Sequence, residues 1–163
     1  MNFCAFIFSF VFFLYGSTAA WFVPPSGAAG FPKVMPADVK MTYYNHGGMT
    51  DSWERIEIFE RSISFEVKEM DNQETKSWKS EITREESEVI YRTFVENRFD
   101  KIKNKKQGEI VYDAGSETLS IKAGDVDKSI SYGPNSPLSL TNEERFNNIF
   151  QAVKKLAEKN RKD

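Results

Sequence analysis

Apolar and polar positions along this chain change period several times, and each change marks an element. Residues 83–102 hold the longest single period. There Ile90, Tyr91, Phe94, Val95, Phe99 and Ile102 recur at i, i+3, i+4 spacing and wind onto one stripe of an amphipathic α-helix. Thr83 and Glu86 form a capping box at its start, where Glu85, Glu86 and Glu88 favour the positive end of the helix dipole. Lys101, Lys103, Lys105 and Lys106 crowd its expected end. A second helix is predicted from Phe146, Ile149, Phe150, Val153, Leu156 and Ala157, with Thr141 and Glu144 repeating the capping box.

Elsewhere the period is two. Residues 39–44 and 53–59 read as strands, the second with Ile56 and Ile58 on one face. Ile63, Phe65 and Val67 alternate with Ser64, Glu66 and Lys68, which makes a half-buried strand. Asp71, Asn72 and Gln73 supply turn chemistry before a more polar edge strand at 74–82. After the first helix, residues 103–108 form a solvated connection and residues 110–112 a short strand. Leu119 and Ile121 mark the next strand, and Gly124-Asp125 turns the chain back through 129–132. The order is ββββ-α-βββ-α. Connections this short favour antiparallel pairing, so the expected fold class is α+β: a mostly antiparallel sheet with two amphipathic helices packed on one face.

The residues ahead of this domain, 37–163, differ in kind. Residues 3–15 are continuously apolar and lead into Gly16-Ser17-Thr18-Ala19-Ala20, with Ser17 and Ala19 at the −3 and −1 positions of a cleavage site. Residues 1–19 therefore read as a signal peptide, although no Lys or Arg precedes the apolar run. The run is shorter than the ~20 residues a spanning helix needs, which predicts no stable membrane insertion once the signal is removed. Residues 20–36 are a Pro/Gly-rich linker carrying Trp21, Phe22 and Phe31. The expected location is secreted or periplasmic.

Export changes the reading of the only cysteine, Cys4, because it leaves with the signal. The mature domain then has no disulfide, zinc thiolate site or cysteine nucleophile and depends on its hydrophobic core, which suits a bacterial envelope. The charge balance, 22 basic against 24 acidic residues, gives no electrostatic reason to expect nucleic acid.

Candidate chemistry is sparse. His46 is the single histidine, and its setting, Asn45-His46-Gly47-Gly48, is a turn sequence that lacks both the G-x-S-x-G elbow and the further glycines of a phosphate loop. Asp125 and Asp127, with Asp113 and Glu117 nearby, miss the spacing of a calcium loop. No catalytic residue, metal ligand or cofactor is assigned. Carboxylates that meet only in the fold leave a small extracytoplasmic hydrolase as the alternative reading. The aromatics point elsewhere: Tyr43 and Tyr44 precede the glycine turn, and Trp53 and Trp78 flank polar strand segments. Such rings anchor protein interfaces, since they bury large areas at little rotamer cost. The candidate partner-binding residues are Tyr43, Tyr44, His46, Gly47, Gly48, Met49, Trp53 and Trp78, and the expected partner is a protein.

A first strand leading into Gly47-Gly48, the Ile-x-x-Glu-Glu helix start at 82–86, a strand pair around 112–132, the loop at 133–137 and a closing helix together resemble emfourin-type bacterial inhibitors of thermolysin-like metalloproteases. The glycine pair continues here as Met-Thr-Asp instead of an aromatic-Ala-Gly run, and the strand region is longer, so no inhibitory residue is carried over. The resemblance implies a protease inhibitor. Export, the missing catalytic and metal clusters, and Gly- and Pro-rich loops beside aromatics lead to the broader expectation of an exported, non-enzymatic binding protein, an inhibitor or immunity-type partner of a hydrolase or toxin.

Overall fold

The computed structural model describes residues 30–70 and 74–161. The expected signal peptide with Cys4, the linker aromatics Trp21 and Phe22, and the Asp71-Asn72-Gln73 turn lie outside the described residues. Among those described, six strands and two α-helices follow one another: β1 (Lys40–His46), β2 (Trp53–Phe59), β3 (Ser62–Lys68), β4 (Thr75–Glu81), α1 (Arg84–Glu96), β5 (Ser116–Ala123), β6 (Val126–Tyr132) and α2 (Leu140–Asn160). The strands form one sheet in the order β4-β3-β2-β1-β5-β6, antiparallel throughout. The fold is α+β, with both helices on the apolar face.

Strand parity explains that placement. Met41 and Tyr43 pair in register with Ile58 and Ile56 on β2 and with Ile121 and Leu119 on β5. Ile63 and Ile130 extend the layer, and Ile90, Tyr91 and Phe94 of α1 and Phe146, Ile149 and Val153 of α2 close it into one buried core. The alternate positions, among them Thr42, Arg55, Glu57, Ser64, Thr118 and Ser120, form the other, polar face. The two helices cross the sheet in opposite senses. Near the start of α1, the Ser87 hydroxyl donates to the Glu60 carbonyl at the β2–β3 turn. Beyond its end, Lys128 of β6 donates to the Asp100 and Ile102 carbonyls. Successive turns of α2 then meet Tyr132 on β6, Tyr43 on β1 and Glu54 on β2, and Arg161, just past its end, reaches Phe65 on β3.

Four details differ from the sequence expectation. Helix α1 stops at Glu96, where Arg98 takes a left-handed conformation (φ 50°); Phe99 and Ile102 still reach the core through a 3-10 turn at Phe99–Lys101. The last turn of α1 contains no basic residue, so the lysines from 101 onward do not complement its dipole. Residues 110–112 are not a strand: the Asn135 side chain accepts from the Val111 amide and donates to the Val111 carbonyl, satisfying that backbone without a ladder. The order is therefore ββββ-α-ββ-α. Finally, α2 is capped by Ser139, whose hydroxyl accepts from the Asn142 amide, and not by the expected Thr141–Glu144 box. At α1 the expected box is present, with both reciprocal bonds formed.

At the described end of the linker, Phe31 packs edge-on against Tyr91 and the Tyr91 hydroxyl donates to the Pro32 carbonyl at 2.6 Å. No helix of the described residues is long and apolar enough to cross a membrane.

Candidate functional site

At one end of the sheet the inward-facing residues change from apolar to polar. Beyond Tyr43, the next inward row is Glu54 (β2), Asn45 (β1), Glu117 (β5) and Tyr132 (β6), aligned by the strand register. Helix α2 passes over this row and adds Glu143 and Lys154. Lys154 pairs with Glu54 at 2.5 Å and lies 5.9 Å from the centre of the Tyr43 ring. The Tyr43 hydroxyl donates to Glu117 Oε1 at 3.2 Å, and the Tyr132 hydroxyl donates to Glu143 Oε1 at 2.6 Å. Burial, then the charges of Glu117 and Glu54, hold the Tyr43 hydroxyl protonated well above its ordinary range. For Tyr132 the hydrogen bond to Glu143 acts first, followed by burial and the charges of Glu143 and Glu117, again in the direction of a protonated hydroxyl.

Three loops gather above this row. The β1–β2 connection carries a 3-10 turn at Gly48–Thr50, held by the Gly47 amide donating to the Ser52 carbonyl at 2.8 Å and by the Thr50 hydroxyl donating to the Gly47 carbonyl. His46 contributes to this turn, its Nδ1 accepting from the Gly48 amide at 3.2 Å. Gly48 has φ +65°, and a Cβ there would stand 2.2 Å from the Asp113 carbonyl oxygen. One at Gly115 would stand 2.7 Å from the His46 carbonyl. The loops thus touch backbone to backbone, which only residues lacking Cβ allow. Gly133 approaches Gly115 in the same way and brings in the third loop.

Braced in this manner, the loops present apolar side chains outward: Met49 is 81% exposed and Tyr112 is 85% exposed, with Ile110 and Val111 beside it. Tyr44 and Trp53 lie on the polar face of the sheet just below, ring centroids 6.3 Å apart, both half-buried. The structure therefore brings Tyr44, His46, Gly47, Gly48, Met49 and Trp53 to one corner. It separates the other two candidates from them. Tyr43 is a core residue, its ring 4.9 Å from Phe150, because its parity points it under α2. Trp78, on the edge strand β4, faces inward and stacks on Phe65 at 5.5 Å, with Arg161 5.7 Å from the Phe65 ring on α2's side. Tyr43 therefore offers no ring to a partner, and Trp78, half-buried, lies two strands away from the corner.

Sequence reasoning missed Glu54, Glu117, Tyr132, Glu143, Ile110 and Tyr112 as parts of this rim. The signal for the first two was parity: Glu54 is in phase with Ile56 and Ile58, and Glu117 with Leu119 and Ile121, so each is a carboxylate on the core side of its strand. No pattern marked residues 110–112 as an exposed tip, since an apolar triplet reads equally as a buried strand.

The rim contains two concavities that share Asn45. One, of about 510 Å³, lies between the loop after β6 and the start of α2; the other, of about 350 Å³, lies beside Trp53 and Met70. No group of three or more metal-ligating side chains occurs among the described residues. No known family model matches the chain, and no curated protein sequence is significantly similar to it. The similarity to emfourin-type inhibitors rests on the sequence features alone.

Proposed function

We propose that this is an exported, non-enzymatic binding protein that docks on a protein partner, a hydrolase or toxin, through the loops at the rim of its sheet. The observation that carries this reading is the pair of exposed apolar tips, Met49 and Tyr112, on loops locked together at Gly48 and Asp113. An apolar side chain held rigidly in solvent adds nothing to folding, but it lowers the entropy lost on association. Tyr44, His46 and Trp53 border the tips and would extend the contact area. The apolar run at 3–15 followed by small residues supports export, and the resemblance described above supports inhibition over other kinds of docking. No cofactor is required, and the near-neutral charge favours a protein over a nucleic acid.

The test is affinity capture from the native envelope extract, comparing wild type with Met49→Ala/Tyr112→Ala and with His46→Ala/Met49→Ala. Met49→Ala/Tyr112→Ala should melt like wild type, because both side chains are exposed; His46→Ala/Met49→Ala also removes the acceptor of the Gly48 amide and should melt slightly lower. Both should lose partner capture at least tenfold. Undiminished capture by both would remove the rim loops from the interface.

A further inference from the structure

The larger rim concavity has a composition that the docking tips alone do not explain. Its volume is about 510 Å³, and Pro134, Pro137 and Leu138 give it an apolar side. Glu117 from β5 and Glu143 from α2 both line it, and no lysine or arginine does. Elsewhere on this protein partly buried carboxylates have cationic partners: Glu54 has Lys154, Glu57 has Lys40 and Arg55, and Glu86 has Lys159. Glu117 and Glu143 form no ion pair among the described residues. Each accepts one tyrosine hydroxyl instead, a neutral donor that orients the carboxylate and leaves its charge in place. A carboxylate has room for about four hydrogen bonds, so most of the accepting capacity of both groups is unused by these tyrosines. Glu143 stands in the first turn of α2, where the helix dipole favours it, but no cationic side chain lines the recess. Two carboxylates beside an apolar wall are complementary to a cation on an aliphatic stem.

Resting on the docking reading above, we infer that this concavity receives an arginine side chain of the protein that docks across the rim. The methylene stem lies along Pro134, Pro137 and Leu138, and the guanidinium engages Glu117 and Glu143. A planar fork with five N–H donors serves two carboxylates on different elements, which a lysine ammonium does less completely. The recess belongs to the same surface as the exposed tips, since Gly115 borders it and also packs on the Met49 loop.

The probe is Nα-acetyl-arginine-methylamide, titrated into the protein and followed by the amide resonances of Gly115, Ser116 and Gly133; the neutral isostere Nα-acetyl-citrulline-methylamide is the control. Saturable shifts with the arginine compound, at least tenfold weaker binding of the citrulline compound, and at least tenfold weaker arginine binding by Glu117→Gln/Glu143→Gln are expected. No saturable response, or equal responses to the two compounds, would overturn the assignment on wild-type protein alone, whatever the variant's stability. Partner capture separates this idea from the one beneath it. If Glu117→Gln/Glu143→Gln captures like wild type while Met49→Ala/Tyr112→Ala does not, docking stands and the arginine site falls. If neither variant loses capture, docking itself falls.

Discussion

Gly48 and Gly124 both have positive φ, 65° and 58°, yet their surroundings are opposite. Nothing lies within 4 Å of a Cβ built on Gly124, at the tip of the β5–β6 hairpin, so Gly124→Ala should cost only the left-handed conformation, about 1–2 kcal/mol. Gly48→Ala adds a collision with the Asp113 carbonyl, a backbone atom that moves only if the loop moves. It should cost at least about 2 kcal/mol more, near the upper end of single-residue effects. Urea melts of the two variants decide this, and equal midpoints would mean that the loops do not brace one another. Half of this was legible: the Gly47-Gly48 pair signalled unusual backbone. That residues 113–115 would occupy the space was not, because close approach between segments far apart in sequence leaves no local pattern. Tyr43 shows the same limit. Tyr43 and Tyr44 are equivalent in composition, and only strand parity against β2 and β5 makes one core and the other surface.

Among the elements, the start of α2 separates a motif from a cap. Ser139 and Thr141 are both hydroxyl residues near the right place, and Thr141 has the better sequence match, with Glu144 three residues on. The chain begins the helix at Leu140 with Leu138 buried ahead of it and Leu140 left 84% exposed. Burial of one leucine before the first turn thus fixes the register that local hydroxyl chemistry left open. Ser139→Ala should lose about 1 kcal/mol in a denaturant melt, the usual value of an N-cap, while Thr141→Ala should change it by a few tenths at most. The reverse ranking would restore the capping box. Both helices and all six strands were legible as patterns, since burial on one face imposes a period whatever the partner is. The false strand at 110–112 came from the same rule, which three apolar residues in solvent violate.

At the scale of the molecule, α1 and α2 are joined on the surface by Glu86 and Lys159, 2.8 Å apart. The hydrogen bond from Lys159, then that from the Thr83 amide, lowers the Glu86 pKa below the ordinary carboxyl value. The folded state therefore binds this proton less readily than the unfolded chain does. The contribution is complete above the ordinary carboxyl range and disappears as pH falls through the lowered value. With the lysine mostly exposed it should amount to a fraction of a kcal/mol. Lys159→Met should thus melt slightly below wild type at neutral pH and converge with it in acid; parallel curves at every pH would show that the pair contributes nothing. A larger consequence follows from the strand order. The first four strands form a meander that ends at β1, but β1's other side waits for β5, which lies beyond all of α1 and the long loop after it. A chain made from its amino terminus consequently passes through a stage in which its central strand is an unpaired edge, a template for any neighbouring chain. The interval ends only when Ser116–Ala123 appears, so the rim that gathers around Gly115 is completed by the same step that makes the sheet safe.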